Sequence, residues 1–163
     1  MERKPIKRNE NIIPLSREHH GALLFCWKIR WGIHLNTEPD RISRYVKWFW
    51  DNELQPHQED ENKLLFFDTS DELVQRALNE HAKMKSDVAD IVSGKLQNVD
   101  AFLNLADFLE DHTRYEERVL FPHLEQKLSQ EQLNNIGKVL HSGRERTADE
   151  DYDDEFWGDR TKK

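Results

Sequence analysis

Only one cysteine, Cys26, occurs in the chain, so it supports neither a disulfide framework nor a thiolate-bound cluster, and a reducing cytoplasm is the expected setting. Glycine and proline are also scarce, at six and five residues, too few for the many turns of a β-sandwich or barrel. No short repeat occurs, which excludes collagen-like and low-complexity classes. Long apolar runs are missing too: the longest, Ala22 to Trp27, falls far short of the ~20 residues that span a bilayer. The basic start MERKPIKRNE leads into no apolar stretch of a secretory signal, so neither a signal peptide nor a membrane span is expected. Positive charge is not in excess. The net charge is −8, and Lys and Arg cluster only in the first ten residues, so no nucleic-acid partner is expected. Gly-rich phosphate loops, G-x-S-x-G elbows and Cys-x-x-Cys pairs do not occur, and the enzyme classes built on them lose support.

What remains is a chain of 163 residues, 34% of them charged, with the length of one domain and the polarity of solvent-laced helices. Four long segments carry apolar residues at spacings of three and four. The first runs from about Leu15 to Leu35, entered by Pro14 and Ser16 and left at Asn36-Thr37-Glu38-Pro39. The second starts with Asp40 as N-cap and continues to about Phe67, with Pro56 forcing a kink or restart near His57. Asp68-Thr69-Ser70 cap a third, which stops at Ser93-Gly94, and the fourth runs from near Asp100 to Pro122. Short connections make consecutive segments antiparallel, giving an all-α, up-down-up-down four-helix bundle. A short C-terminal fifth helix follows Ser129, whose Ser-x-x-Gln pattern to Gln132 resembles a capping box. The expected division is a basic N-terminal extension at 1–11, the bundle at 12–141 and an acidic C-terminal tail at 142–163. Asp149, Glu150, Asp151, Asp153, Asp154 and Glu155 mark that tail as a mobile polar end, with Phe156 and Trp157 the residues able to dock it.

Chemistry enters where polar residues interrupt the apolar stripes. On the fourth helix the stripe reads Phe102, Leu105, Leu109, His112, Glu116, Val119, and on the second Trp50, Leu54, His57, Glu61, Leu64. Two His-x-x-x-Glu pairs thus face inward. His81 interrupts the third stripe between Leu78 and Met84. On the first helix His20 is in step with Leu23, Trp27 and Trp31, and His19 with Leu15, Leu23 and Cys26; the periodicity does not choose between them. Trp27, Trp31, Trp48 and Trp50 read as core and inter-helix packing, and Cys26 as a buried apolar filler.

An isolated carboxylate in a core normally protonates or finds a cation, so Glu61 and Glu116 need compensation, and a metal supplies it. Two His/Glu pairs plus one His each from the first and third helices bring four imidazoles and two carboxylates together. Nitrogen and oxygen donors without thiolate favour iron, manganese or zinc, and carboxylates with two oxygens each can bridge a dinuclear site with open positions. Taken singly, an inward His is more often a hydrogen-bonded core residue, and a His/Glu pair a salt bridge. Contributions from four helices at once reverse that weighting. His34, His123 and His141 fall outside the constellation and read as surface or helix-end residues, with His141 a candidate extra ligand.

LSREHHGALLF at 15–25, HQEDE at 57–61, EHAKM at 80–84 and HTRYEERVLFP at 112–122 together resemble the hemerythrin-like (HHE cation-binding) family over roughly residues 12–128. The resemblance implies two iron ions bridged by carboxylates in a four-helix bundle, with His57, Glu61, His81, His112, Glu116 and either His19 or His20 as ligands, and manganese or zinc as substitutes. It also implies reversible oxygen binding, a response to oxygen or nitric oxide, or iron handling. One departure is that oxygen-carrying hemerythrins have His-x-x-x-His on the third helix, whereas Ala77 and Lys85 flank His81 here. One iron is then expected to have a ligand fewer, or a substitute such as His141 or water. The nearest structural competitor, the ferritin-like class, requires Glu-x-x-His pairs that this sequence lacks.

The leading expectation is a cytoplasmic, hemerythrin-like, non-haem di-iron protein that binds or senses a small diatomic ligand, as a monomer or weak homodimer, with no catalytic residue assigned. The alternative is a di-iron redox enzyme or iron-donating repair protein under oxidative or nitrosative stress. A third reading is a metal-free bundle held by a His/Glu hydrogen-bonded network.

Overall fold

A computed structural model describes residues 7–142 and 152–158, and every regular element among them is helical. The elements are α1 (Ile13–His34), α2 (Pro39–Phe49), α3 (Gln55–Leu64), α4 (Glu72–Val92), α5 (Val99–Tyr115), α6 (Phe121–Lys127) and α7 (Gln130–Ser142). A single helical turn, Glu10–Ile12, precedes α1. α2 runs into α3 through a π-helical turn at Trp50–Leu54, and α5 into α6 through another at Glu116–Leu120. The four walls of the bundle are therefore α1, α2–α3, α4 and α5–α6. α1 packs against α5 and α2–α3, and α4 against α5 and α2, which is the four-helix arrangement the periodicity predicts. α7 lies against the Glu10–Ile12 turn and α1.

Local chemistry sets most of the ends. Asp71 accepts from the Leu73 amide and caps α4, one residue beyond the Asp68-Thr69-Ser70 expected to do so. Asp40 is not the cap of α2: the helix opens at Pro39, and Asp40 pairs with Arg44 within the first turn. Gly94, at φ +88, closes α4 as expected, and Asn36, at φ 61, closes α1. Ser129 and Gln132 form a reciprocal capping box, each side chain accepting from the other's amide at 3.1 and 2.9 Å.

Each π-helical turn inserts one residue ahead of a proline, Pro56 or Pro122. Gln55 and Phe121 donate their amides five residues back, to Trp50 and Glu116. The wider turn lets a continuous helix pass a residue that has no amide proton and would clash with the preceding turn. It also shifts the phase of the stripes: Leu54 is buried as expected, but Phe49 is buried in place of Trp50, and Leu120 is fully buried while Val119 faces water.

Two apolar clusters make the core. One gathers Phe25, Ile29, Tyr45, Phe49, Leu54, Met84, Phe102 and Leu109, the other Leu15, Leu65, Val74, Ala77, Leu120, Phe121 and Leu124. The expectation of a solvated tail is corrected at its end. Phe156 and Trp157 are buried in the first cluster, Arg41 grips Asp154 through two nitrogens, and Gly32 makes room for the Phe156 ring, which a β-carbon there would meet at 2.4 Å. Asp149, Glu150 and Asp151 lie outside the described residues. Burying these rings removes enough apolar surface to outweigh the acidity around them. Trp27 also departs from expectation: it is half exposed and stacks on Trp31, which stacks in turn on His34.

Candidate metal centre

Every wall of the bundle passes from one apolar cluster to the other at a histidine. α1 goes from Leu15 through His19 to Ala22, and α4 from Ala77 through His81 to Met84. α2–α3 goes from Leu54 through His57 and Glu61 to Leu65, and α5–α6 from Leu109 through His112 and Glu116 to Leu120. One polar layer therefore lies between two dry ones. All six side chains are buried, Glu61 and Glu116 completely.

Within that layer the two carboxylates occupy the middle. Glu61 turns Oε2 toward His57 Nε2 at 2.9 Å and His19 Nε2 at 3.4 Å, and Oε1 toward His81 Nε2 at 3.2 Å. Glu116 turns Oε1 toward His19 Nε2 at 2.8 Å, and Oε2 toward His112 Nε2 at 3.0 Å and His81 Nε2 at 3.4 Å. Each carboxylate thus offers one oxygen to each pair of imidazoles. The donor atoms fall into two compact groups, His19–His57–Glu61–Glu116 and Glu61–His81–His112–Glu116, each fit to hold a metal ion.

The fit of a cation is visible in what these atoms lack. Both oxygens of Glu61, Oε2 of Glu116 and the Nε2 atoms of His81 and His112 are buried without a hydrogen-bond partner. Five orphaned donor atoms at one interior point is a heavy desolvation penalty that a divalent ion removes. The set holds nitrogen and oxygen only, which suits iron, manganese or zinc.

Behind each imidazole, Nδ1 meets a second residue. His57 meets Glu18 at 2.6 Å, His81 meets Asn62 at 2.8 Å, His112 meets Glu80 at 2.7 Å and His19 meets Glu117 at 2.7 Å. With the proton on Nδ1, these oxygens accept it and leave Nε2 free to act as a ligand. The supports close into a ring around the bundle: α1 backs α3, α3 backs α4, α4 backs α5, and Glu117 backs α1. Each supporting residue sits directly beside a different member of the cluster in sequence. Stripe counting misses them because they point sideways, between helices; adjacency to an inward His or Glu is the signal that finds them. Arg8, largely buried, donates to the Glu117 carboxylate and carbonyl and to Glu125, so it anchors the support of His19.

The electrostatics follow from burial and opposite charge. Burial alone would lower the histidines, but the carboxylates outweigh it. Glu116, Glu117 and Glu61 hold His19 well above its ordinary value, and His57 and His112 are pushed up to about 9 and about 10. Burial and Glu116 act to raise Glu61, yet His57 and His19 bring it down to about 2. Burial likewise works against Glu116, and His112, His19 and His81 hold it well below the usual carboxylate range. Imidazole protons supply the positive charge where no cation does.

Of the residues singled out by sequence, His19, His57, Glu61, His81, His112 and Glu116 come together. His20 does not: it is exposed, on the outer face of α1 with Trp27, so the inner stripe is the one through Leu15, His19, Ala22 and Cys26. His141 is exposed against the Glu10 carbonyl at 3.2 Å and is in neither group. No shortfall falls on one position alone: each group holds two imidazoles and shares both carboxylates. His123 pairs with Asp71 at 2.7 Å. A family model described as Hemerythrin HHE cation binding domain matches residues 14–124. Comparison with curated proteins and with solved structures gave no match.

Proposed function

The chain belongs to the hemerythrin HHE cation-binding family, and from that premise we propose that it is a non-haem di-iron protein that binds or senses a small diatomic ligand, oxygen or nitric oxide. The supporting observation is the set of five orphaned donor atoms, three carboxylate oxygens and two imidazole nitrogens, in one buried layer. His19 and His57 would hold one ion and His81 and His112 the other, with Glu61 and Glu116 shared between them. An iron pair supplies open coordination positions and exchangeable electrons for such a ligand. The chain's own residues supply the rest. Two carboxylates offset part of the metal charge, the outer carboxylates and Asn62 fix each imidazole's tautomer, and Leu54, Met84 and Leu109 border the centre on its apolar side and exclude water. A buried free thiol at Cys26 supports a reducing, cytoplasmic setting. Among the described residues no helix is long and apolar enough to cross a membrane.

Metal analysis with optical titration tests the reading. Anaerobic loading with Fe(II) should give about two irons per chain, one for each residue group, and exposure to oxygen or nitric oxide should produce a visible charge-transfer band. Less than about one metal per chain in a replete sample sinks it. The ligand count favours a second reading: with only two imidazoles at each position, the iron is easier to release, which suits an iron-donating or redox repair role. Transfer of iron from the loaded protein to an apo acceptor would favour that role; stoichiometric, reversible ligand binding without transfer would reject it.

A further inference from the structure

The two metal positions have equal numbers of imidazoles and share both carboxylates, so the kinds of residue that face them do not distinguish them. The difference lies behind the imidazoles. At one position His57 is backed by Glu18 and His19 by Glu117, two carboxylates. At the other His112 is backed by the carboxylate of Glu80, but His81 by the neutral amide of Asn62. One outer carboxylate at each position has an arginine beside it: Arg8 lies 3.1 Å from Glu117 and Arg76 lies 2.9 Å from Glu80. The supports that differ in kind are Glu18, a carboxylate, and Asn62, an amide. A carboxylate that accepts the Nδ1 proton makes the opposite nitrogen a stronger ligand, whereas a neutral amide orients the ring with less of that gain.

We propose that Glu18 and Asn62 are positioning residues that order the two sites, so that a divalent cation fills the His19/His57 position first and tightly and the His81/His112 position second and exchangeably. The order rests on the dinuclear reading above and gives it a direction: the second position is where metal enters and leaves.

Competition of the metal-free full chain with a chromophoric chelator for Zn2+, a redox-silent probe, tests it. The wild type should take up two zinc ions in two resolved steps. Glu18→Gln should weaken the first step by about 10–100-fold, the usual effect of losing such a support, and leave the second unchanged. Asn62→Asp, at an exposed site where folding is not at risk, should tighten the second step and leave the first. With one equivalent of Co2+, the strongly shifted exchangeable ring protons should be those of His19 and His57. Shifted protons on His81 and His112, or two steps that neither variant moves, overturn the ordering and leave the dinuclear reading standing. Uptake of less than one zinc per wild-type chain overturns both.

Discussion

Four imidazoles and two carboxylates in a dry layer must find opposite charge in one another or in an ion. Removing one carboxylate therefore has two consequences at once. If the protein holds the iron pair proposed above, Glu116→Gln should cut its iron content from about two per chain to one or none, because both donor groups include that side chain. In the metal-free protein the same change leaves His112 and His19 facing a neutral amide, and loss of one partner of a buried pair costs about 3–5 kcal/mol. Elemental analysis and denaturant unfolding read these separately; iron content unaffected by the substitution would return the site to a purely structural network. The pH dependence has a definite sign. The metal-free histidines are raised, so their stabilisation is complete below about pH 6.5 and disappears as pH climbs through about 9 to 10. Glu61 is lowered, so its contribution holds above about pH 4.5 and is lost as pH falls through about 2. Melting of the metal-free chain should thus be highest near pH 5 to 6 and fall toward pH 10, while metal binding, which displaces those protons, strengthens over the same interval. A metal-free melting temperature that rose steadily to pH 10 would contradict the charge assignment. At this scale the sequence was nearly sufficient. Stripe counting found five of the six cluster residues outright, and it left His19 and His20 undecided only because two neighbouring stripes both carry large apolar residues, one of them running through the exposed Trp27.

Helices longer than one proline-free stretch raise a different problem, and the two π-helical turns answer it. By absorbing an extra residue ahead of Pro56 and Pro122, they keep the walls continuous while changing which residues face inward. No count in steps of three and four anticipates that change, which is why Val119 and Trp50 read as stripe residues and Leu120 and Phe49 take their places. The prolines themselves were the visible sign, and a kink was the simplest expectation from them. The inserted residue has a functional counterpart. Inserting one alanine after exposed Asn52, beyond the single extra residue that Trp50–Leu54 already absorbs, should rotate α3 by about 100° relative to α2. His57 and Glu61 then leave the centre. The expected result is loss of metal with helix content kept by circular dichroism; full metal retention would show that the aim of the pair does not depend on the length of this turn.

Across the whole molecule, the division of the core into two apolar clusters makes the polar layer the weakest plane. A cation that binds only the folded chain stabilises it by about 2.7 kcal/mol when its free concentration is about 100 times Kd, so chelation should lower the melting temperature measurably. Calorimetry should also show the metal-free transition broadening, its van't Hoff enthalpy falling below the calorimetric one, as the two clusters lose the tie between them. Unchanged sharpness after metal removal would show that apolar packing alone couples them. The bundle as a whole was legible from periodicity and punctuation. The docked end at Phe156 and Trp157 was not, because an acidic neighbourhood hides two rings whose seat is made by a glycine more than a hundred residues away. Because each wall is gripped by the same layer midway along its length, no helix can slip along its own axis without dragging a ligand with it. The centre is therefore also a gauge of axial register: a substitution that shortens or lengthens the packing at either end of the molecule will be felt as a change in coordination before it is seen as a change in shape.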